Sequence, residues 1–115
     1  MKIDEIAKCL GARILSKGRL DRRISKIYAG DRISDLLNAC TPETLIVTNL
    51  SGMQLVRLVE LMDIPAVCVT ENREIEKETI SKADSLCATI LVSPAGMFET
   101  CGRIFKCMTE HAKCR

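Results

Sequence analysis

A chain of 115 residues makes about one domain, and folding at this length hides roughly two-thirds of the surface the unfolded chain exposes, so a core can form without staples. With 47% apolar residues, 28% charged residues and a net charge of +2, the composition excludes a disordered or a membrane-embedded chain. No apolar run approaches the roughly 18 residues that span a bilayer, and "MKIDEIAKCLG" carries acids where a signal peptide is continuously apolar. The expected location is therefore the cytoplasm, and the seven cysteines are expected as reduced thiols, with Cys9, Cys40, Cys68 and Cys87 acting as small hydrophobes inside apolar stretches.

In chain order, Ile3, Ile6, Ala7 and Leu10 fall at helical spacing, with Asp4 and Glu5 in the first turn and Gly11 suited to end the helix. "ARIL" reads as a short strand, "SKGRLDRR" as a polar turn and "ISKIYAG" as a strand ending at Gly30. A helix follows from about Ile33 to Ala39 and stops before Pro42. From there strands and helices alternate: "TLIVT", "GMQLVRLVELM", "PAVCVT", "EIEKETISKAD", "ATILVS" and a last helix from about Met97 to His111. That alternation signals βαβ units, and the uniformly apolar strands require helices on both sheet faces. The expected fold is α/β, a three-layer α/β/α sandwich on a mostly parallel sheet of about five strands. One domain over residues 1–115 is expected, with a core over about 22–107, an N-terminal helix and basic loop over 1–21, and a tail over 108–115.

Between residues 13 and 26, Arg13, Lys17, Arg19, Arg22, Arg23 and Lys26 oppose only Asp21, giving +5 locally and leaving −3 elsewhere. Tyr28, Phe98 and Phe105 are the aromatics and all lie outside the patch, so the base-stacking half of single-strand recognition is missing. The patch reads as a solvated loop face, with no nucleic-acid partner and no membrane expected.

In open α/β sheets ligands bind beyond the carboxyl ends of the strands. Four loops qualify: Gly30-Asp31-Arg32, Thr48-Asn49-Leu50-Ser51-Gly52, Thr70-Glu71-Asn72 and Ser93-Pro94-Ala95-Gly96. The candidate ligand-binding residues are Gly30, Asp31, Arg32, Thr48, Asn49, Ser51, Thr70, Glu71 and Asn72, with hydroxyls and amides orienting a small anionic ligand and Arg32 as its anion contact. Each loop also has a structural explanation. Gly30 allows a sharp bend, while Asp31 or Ser34, Ser51, and Asn72 can each cap the helix that follows, a contribution of roughly 0.5–2 kcal/mol.

No phosphate-loop run and no G-x-G-x-x-G motif is present, so a dinucleotide or kinase site is unsupported. His111 is the single histidine, and Cys107, His111 and Cys114 form C-x3-H-x2-C, which matches no common zinc pattern. No catalytic residue, metal or cofactor is assigned.

The run "RRISKIYAGDRISDLLNACTPETLIVTNLSGMQLVRLVELMDIPAVCVTENREIEKETI", followed by "ILVSPAGMFETCGRIF", resembles a DRTGG domain from Arg22 to Phe105. DRTGG domains are related to the N-terminal domain of HPr kinase/phosphorylase and to a middle segment of long bacterial phosphotransacetylases. The family's Asp-Arg pair and Thr-Gly-Gly triplet correspond here to Ser51-Gly52 and Thr70-Glu71-Asn72, so only the threonine is kept. The Asp31-Arg32 pair lies one strand too early to be that signature. The resemblance implies a non-enzymatic regulatory or ligand-sensing module, sensing a small anion or nucleotide. The alternative is a pure interaction module, homodimeric or docked on a partner enzyme, through Met53, Leu61, Met62 or Met108; a thiol or metal-dependent enzyme built on Cys107 and His111 is a weaker one.

Overall fold

The computed structural model describes residues 1–61 and 66–113. Ten elements run in the order α1 (Ile3–Leu10), β1 (Arg13–Ser16), β2 (Lys26–Ala29), α2 (Ile33–Ala39), β3 (Thr44–Thr48), α3 (Gly52–Leu61), β4 (Ala66–Val69), α4 (Lys77–Ser85), β5 (Thr89–Val92) and α5 (Met97–Lys113). They build one five-stranded sheet in the order β1-β5-β4-β3-β2. Strands β2 to β5 are parallel, with Leu45 opposite Ala66 and Ala66 opposite Thr89, while β1 joins β5 antiparallel with a bulge between Ile14 and Ser16. The expected α/β sandwich on a mostly parallel sheet is the observed one. Met62 and Pro65, placed by sequence at the end of the third helix and the start of the next strand, and Cys114 fall outside the described residues.

Each step from β2 to β5 is a βαβ unit advancing in one direction across the sheet, which puts α2, α3 and α4 on the same face. Alternate strand residues then point to opposite layers. Ile46, Val67, Val69, Ile90 and Val92 pack with Leu36, Leu55, Leu58 and Ala83 from those three helices. Leu45, Val47, Ala66, Cys68 and Leu91 pack on the other side with Ile3, Ile6 and Leu10 of α1 and Ile104 of α5. All four residues of β4 and of β5 are buried, which explains why these strands are apolar apart from Thr89, whose hydroxyl donates to the Lys17 carbonyl at 2.7 Å.

Several local expectations need correction. Cys9 of α1 and Cys107 of α5 are joined in a disulfide closing a separation of 98 residues, so these two thiols are not free. The pairing was illegible because it depends on two sequence-distant helices lying side by side. In the chain-entropy picture a loop of this length removes about 4–5 kcal/mol from the unfolded state's advantage. Cys68 is a buried hydrophobe as expected, but Cys87 is exposed. Cys87 adopts φ 56° just beyond α4 and serves the helix exit instead of the core.

Gly30 does not have the conformation of a sharp glycine bend. Its φ lies outside the left-handed region, and a Cβ there would meet the Tyr28 ring at an ordinary 3.5 Å. Its N–H instead extends the β2–β3 ladder to the Val47 carbonyl at 3.0 Å. The glycine that is required is Gly18, at φ +49°, where a Cβ would come within 2.6 Å of Thr89 Oγ1 and 2.7 Å of the Ala88 and Cys87 backbone. Helix α4 also begins at Lys77, later than the periodicity suggests, because Ile75 packs into the core and Arg73 is drawn to β1 and to Asn49.

Candidate functional site

The carboxyl ends of β2, β3 and β4 form one polar ledge. Thr48 ends β3 and is wholly buried, so its hydroxyl must find a partner inside the protein. It donates to Asp31 Oδ1 at 2.9 Å, and the Asn49 backbone N–H reaches the same oxygen at 2.7 Å. Asp31 therefore holds the β2 and β3 exits together and does not cap α2. The N-cap of that helix is Arg32, which makes no side-chain cap bond.

The next loop is braced in the same manner. Asn49 Oδ1 accepts from Arg73 Nε at 2.6 Å and from the buried Thr70 hydroxyl at 3.4 Å. A guanidinium can only donate, which fixes the amide with its oxygen toward Arg73. The Arg73 carbonyl in turn accepts from the Arg13 guanidinium of β1 at 3.0 Å. Arg73 also lies 3.8 Å from the Glu71 carboxylate.

Glu71 and Asn72 occupy left-handed conformations, φ 65° and 49°, at the two positions where the resemblance to DRTGG domains implies glycines. Glycine enters that region freely and asparagine tolerates it, whereas for glutamate it costs about 1–2 kcal/mol. The turn survives because both N–H groups are anchored to the next loop, Glu71 to the Ala95 carbonyl and Asn72 to the Ser93 carbonyl, each at 2.8 Å. These two N–H groups are consequently spent and cannot cradle an anion. Asn72 does not cap α4, whose N-cap is Glu76.

The fourth loop is closed on itself. Ser93 and Thr100 are both buried and hydrogen-bond each other at 2.8 Å, and Ala95 N–H donates to Ser93 Oγ at 3.2 Å. Among the sequence candidates, then, Thr48 and Thr70 are buried braces, while Asp31, Arg32, Ser51, Glu71 and Asn72 are exposed and Gly30 and Asn49 are intermediate. The Arg32 side chain is 80% exposed and, among the described residues, reaches only Asp35, at 3.8 Å, which leaves most of its guanidinium facing solvent.

Arg73 is the residue the sequence reading missed. Its signal was present: it is the only base in the stretch between β4 and α4, directly after the turn already selected. With Arg32 it places two guanidiniums on the ledge beside the carboxylates of Asp31 and Glu71. At the other end of the chain, Cys107 is consumed by the disulfide and His111 Nδ1 lies 3.9 Å from Glu5, so these residues do not form the thiol or metal pair considered from sequence. Among the described residues, no cluster of three or more histidine, cysteine or acidic side chains is arranged for a metal, and no helix is long and apolar enough to cross a membrane.

A mostly parallel sheet with braced loops at its carboxyl edge defines an α/β sandwich module. The family model described as the DRTGG domain matches residues 5–107, and the chain belongs to that family. The match takes in α1 and β1 as well as the stretch from Arg22 onward. Among solved structures, the chain is similar to the CBS and DRTGG domains of the regulatory region of Clostridium perfringens pyrophosphatase, a structure complexed with the activator diadenosine tetraphosphate. The TM-score is 0.78 at 18% identity, over 92% of this chain and 46% of that one, so the present chain spans about half of that region's length. No curated protein matches the chain.

Proposed function

We propose that the chain is a non-catalytic regulatory module that senses a nucleotide at the carboxyl edge of its sheet. The observation that carries this reading is the cross-bracing of three loops through Asp31, Asn49 and Arg73, which preorganises one polar ledge with two guanidiniums and two carboxylates. Arg32 and Arg73 would donate to phosphate oxygens, and Asp31 and Glu71 would accept from ribose hydroxyls. A bare polyphosphate fits less well, because the carboxylates oppose it. The nucleotide activator bound by the similar pyrophosphatase region supports this choice of ligand class.

The test is a thermal-shift series on the whole chain with AMP, ADP, ATP, diadenosine tetraphosphate and acetyl phosphate. A ligand at one hundred times its Kd adds about 2.7 kcal/mol of stability, which moves the midpoint by several degrees in a domain of this size. No shift from any nucleotide at millimolar concentration overturns the reading.

A second reading, an interaction module that pairs with itself or docks on a partner enzyme, is favoured by the exposed aromatic side chains of α5. The residues suggested for it from sequence, Met53, Leu61 and Met108, do not share one face. Met53 and Leu61 lie on α3 in one helical layer, while Met108 lies on α5 in the opposite layer.

A further inference from the structure

Two of the chain's three aromatic residues are spent on solvent. Phe98 is 93% exposed and Phe105 is 75% exposed, both on α5 and seven residues apart. At 3.6 residues per turn this spacing puts them on one stripe, which Ala112 continues and which Cys101, Met108 and Thr109 flank. Beside Phe105 a shallow apolar depression, open to solvent, lies between Phe105, Met108, Thr109, Ala112 and Lys113. Four of these, at positions i, i+3, i+4 and i+7, are the set that makes the hole for a knob from a facing helix.

We propose that α5 is the contact face of a twofold-symmetric homodimer, in which Phe98 of each copy enters the depression beside Phe105 of the other. The spacing is self-complementary. With the helices antiparallel and Phe98 centred over the 105/108/109/112 hole, Phe105 of the same helix falls over the equivalent gap between Phe98 and Phe105 of the second copy. The charged flank agrees with that register: Glu99 comes within about half a turn of Lys106 of the second copy, twice by symmetry. Arg103, further round the helix, is already held by Glu99 of its own helix at 2.9 Å.

The area is sufficient. Four phenylalanines at about 150–250 Å² each bury roughly 600–1,000 Å², and Met108, Thr109 and Ala112 from both copies carry the total toward the ~1,200 Å² of a specific interface. The inference rests on the self-association reading and is independent of the nucleotide reading.

Light scattering, and dilution of the fluorescently labelled full chain, test this interface. The wild type is expected as a dimer at tens of micromolar, and Phe98→Asp as a folded monomer with unchanged circular dichroism. Its dissociation constant should rise roughly 1,000-fold, about 30-fold for each of two symmetry-related anchors. Glu99→Lys and Lys106→Glu should each weaken the dimer, and the two together should restore it. A wild type that stays monomeric at about 200 µM, well above the Kd of a micromolar complex, overturns both this face and self-association. A dimer that ignores Phe98→Asp, or one that the double charge swap fails to restore, overturns this face alone.

Discussion

Arg73 Nε donates to Asn49 Oδ1 at 2.6 Å, tying the loop after β4 to the loop after β3 across 24 positions of sequence. Because Nε carries the brace to Asn49, the terminal nitrogens are left for a ligand, with only the half-exposed Glu71 carboxylate at 3.8 Å competing for one of them. Arg73→Ala should therefore weaken nucleotide binding at least tenfold, the scale of one charge-assisted hydrogen bond of about 1.5–3 kcal/mol. Arg73→Lys should recover only part, since an ammonium cannot brace Asn49 and grip phosphate together. Titration calorimetry with diadenosine tetraphosphate checks both, and Ser81→Ala, exposed on α4 and outside the candidate site, should leave affinity within twofold.

Asp31 holds Thr48 and Asn49 by one oxygen, so its geometry matters more than its charge. Asp31→Ala should cost about 1–2 kcal/mol in urea unfolding, with the slope unchanged. Asp31→Asn, which keeps an oxygen acceptor in place, should cost less than about 1 kcal/mol.

Glu71 is held at φ 65° against its own preference. Glu71→Gly should raise stability by about 0.5–1 kcal/mol: relief of about 1–2 kcal/mol of left-handed strain, less the entropy glycine adds to the unfolded chain. Its ion pair to Arg73, at 3.8 Å with the Glu71 side chain more than half exposed, is too weak to reverse the sign. Thermal unfolding measures the difference.

Two glycines make a paired test of backbone demand. Gly18→Ala should destabilise by about 2–4 kcal/mol, since a Cβ meets backbone atoms at 2.7 Å in a left-handed residue. Gly30→Ala should stay within about 0.5 kcal/mol, because its contacts are ordinary.

Burial pushes the Cys68 thiol up to about 12, and the exposed Cys87 has no such shelter. Cys87 should react with a disulfide reagent at pH 8 within minutes, and Cys68 only on global unfolding. The linked stability has a definite sign. The folded state keeps the Cys68 proton after the unfolded state releases it, so this contribution is full below about pH 8.5 and declines as pH rises toward 12. Cys68→Ala should flatten that decline in urea midpoints measured between pH 8 and 10.

The layered fold was legible because it rests on local signals. Leu45, Ala66 and Thr89 lie in runs whose apolarity announces strands covered on both faces, and the periodicity of Ile3, Ile6 and Leu10 or of Leu55, Leu58 and Val59 is a property of neighbouring residues. The loops at the carboxyl edge were legible for the same reason, since topology selects them. What each side chain does there was not. Asp31, Asn72 and Ser51 carry the chemistry of helix caps, yet Asp31 bonds to a strand 17 residues away and Asn72 follows a left-handed turn anchored to Ser93.

The same division holds elsewhere. Cys9 and Cys107 become partners only because α1 and α5 share a sheet face, and Arg73 enters the ledge only because Asn49 arrives beside it. Hydrophobic periodicity is written within a few residues and can be read before folding. Hydrogen bonds and cross-links between distant segments depend on which loops the packed sheet brings within about 3 Å, and that is settled by the tertiary arrangement alone.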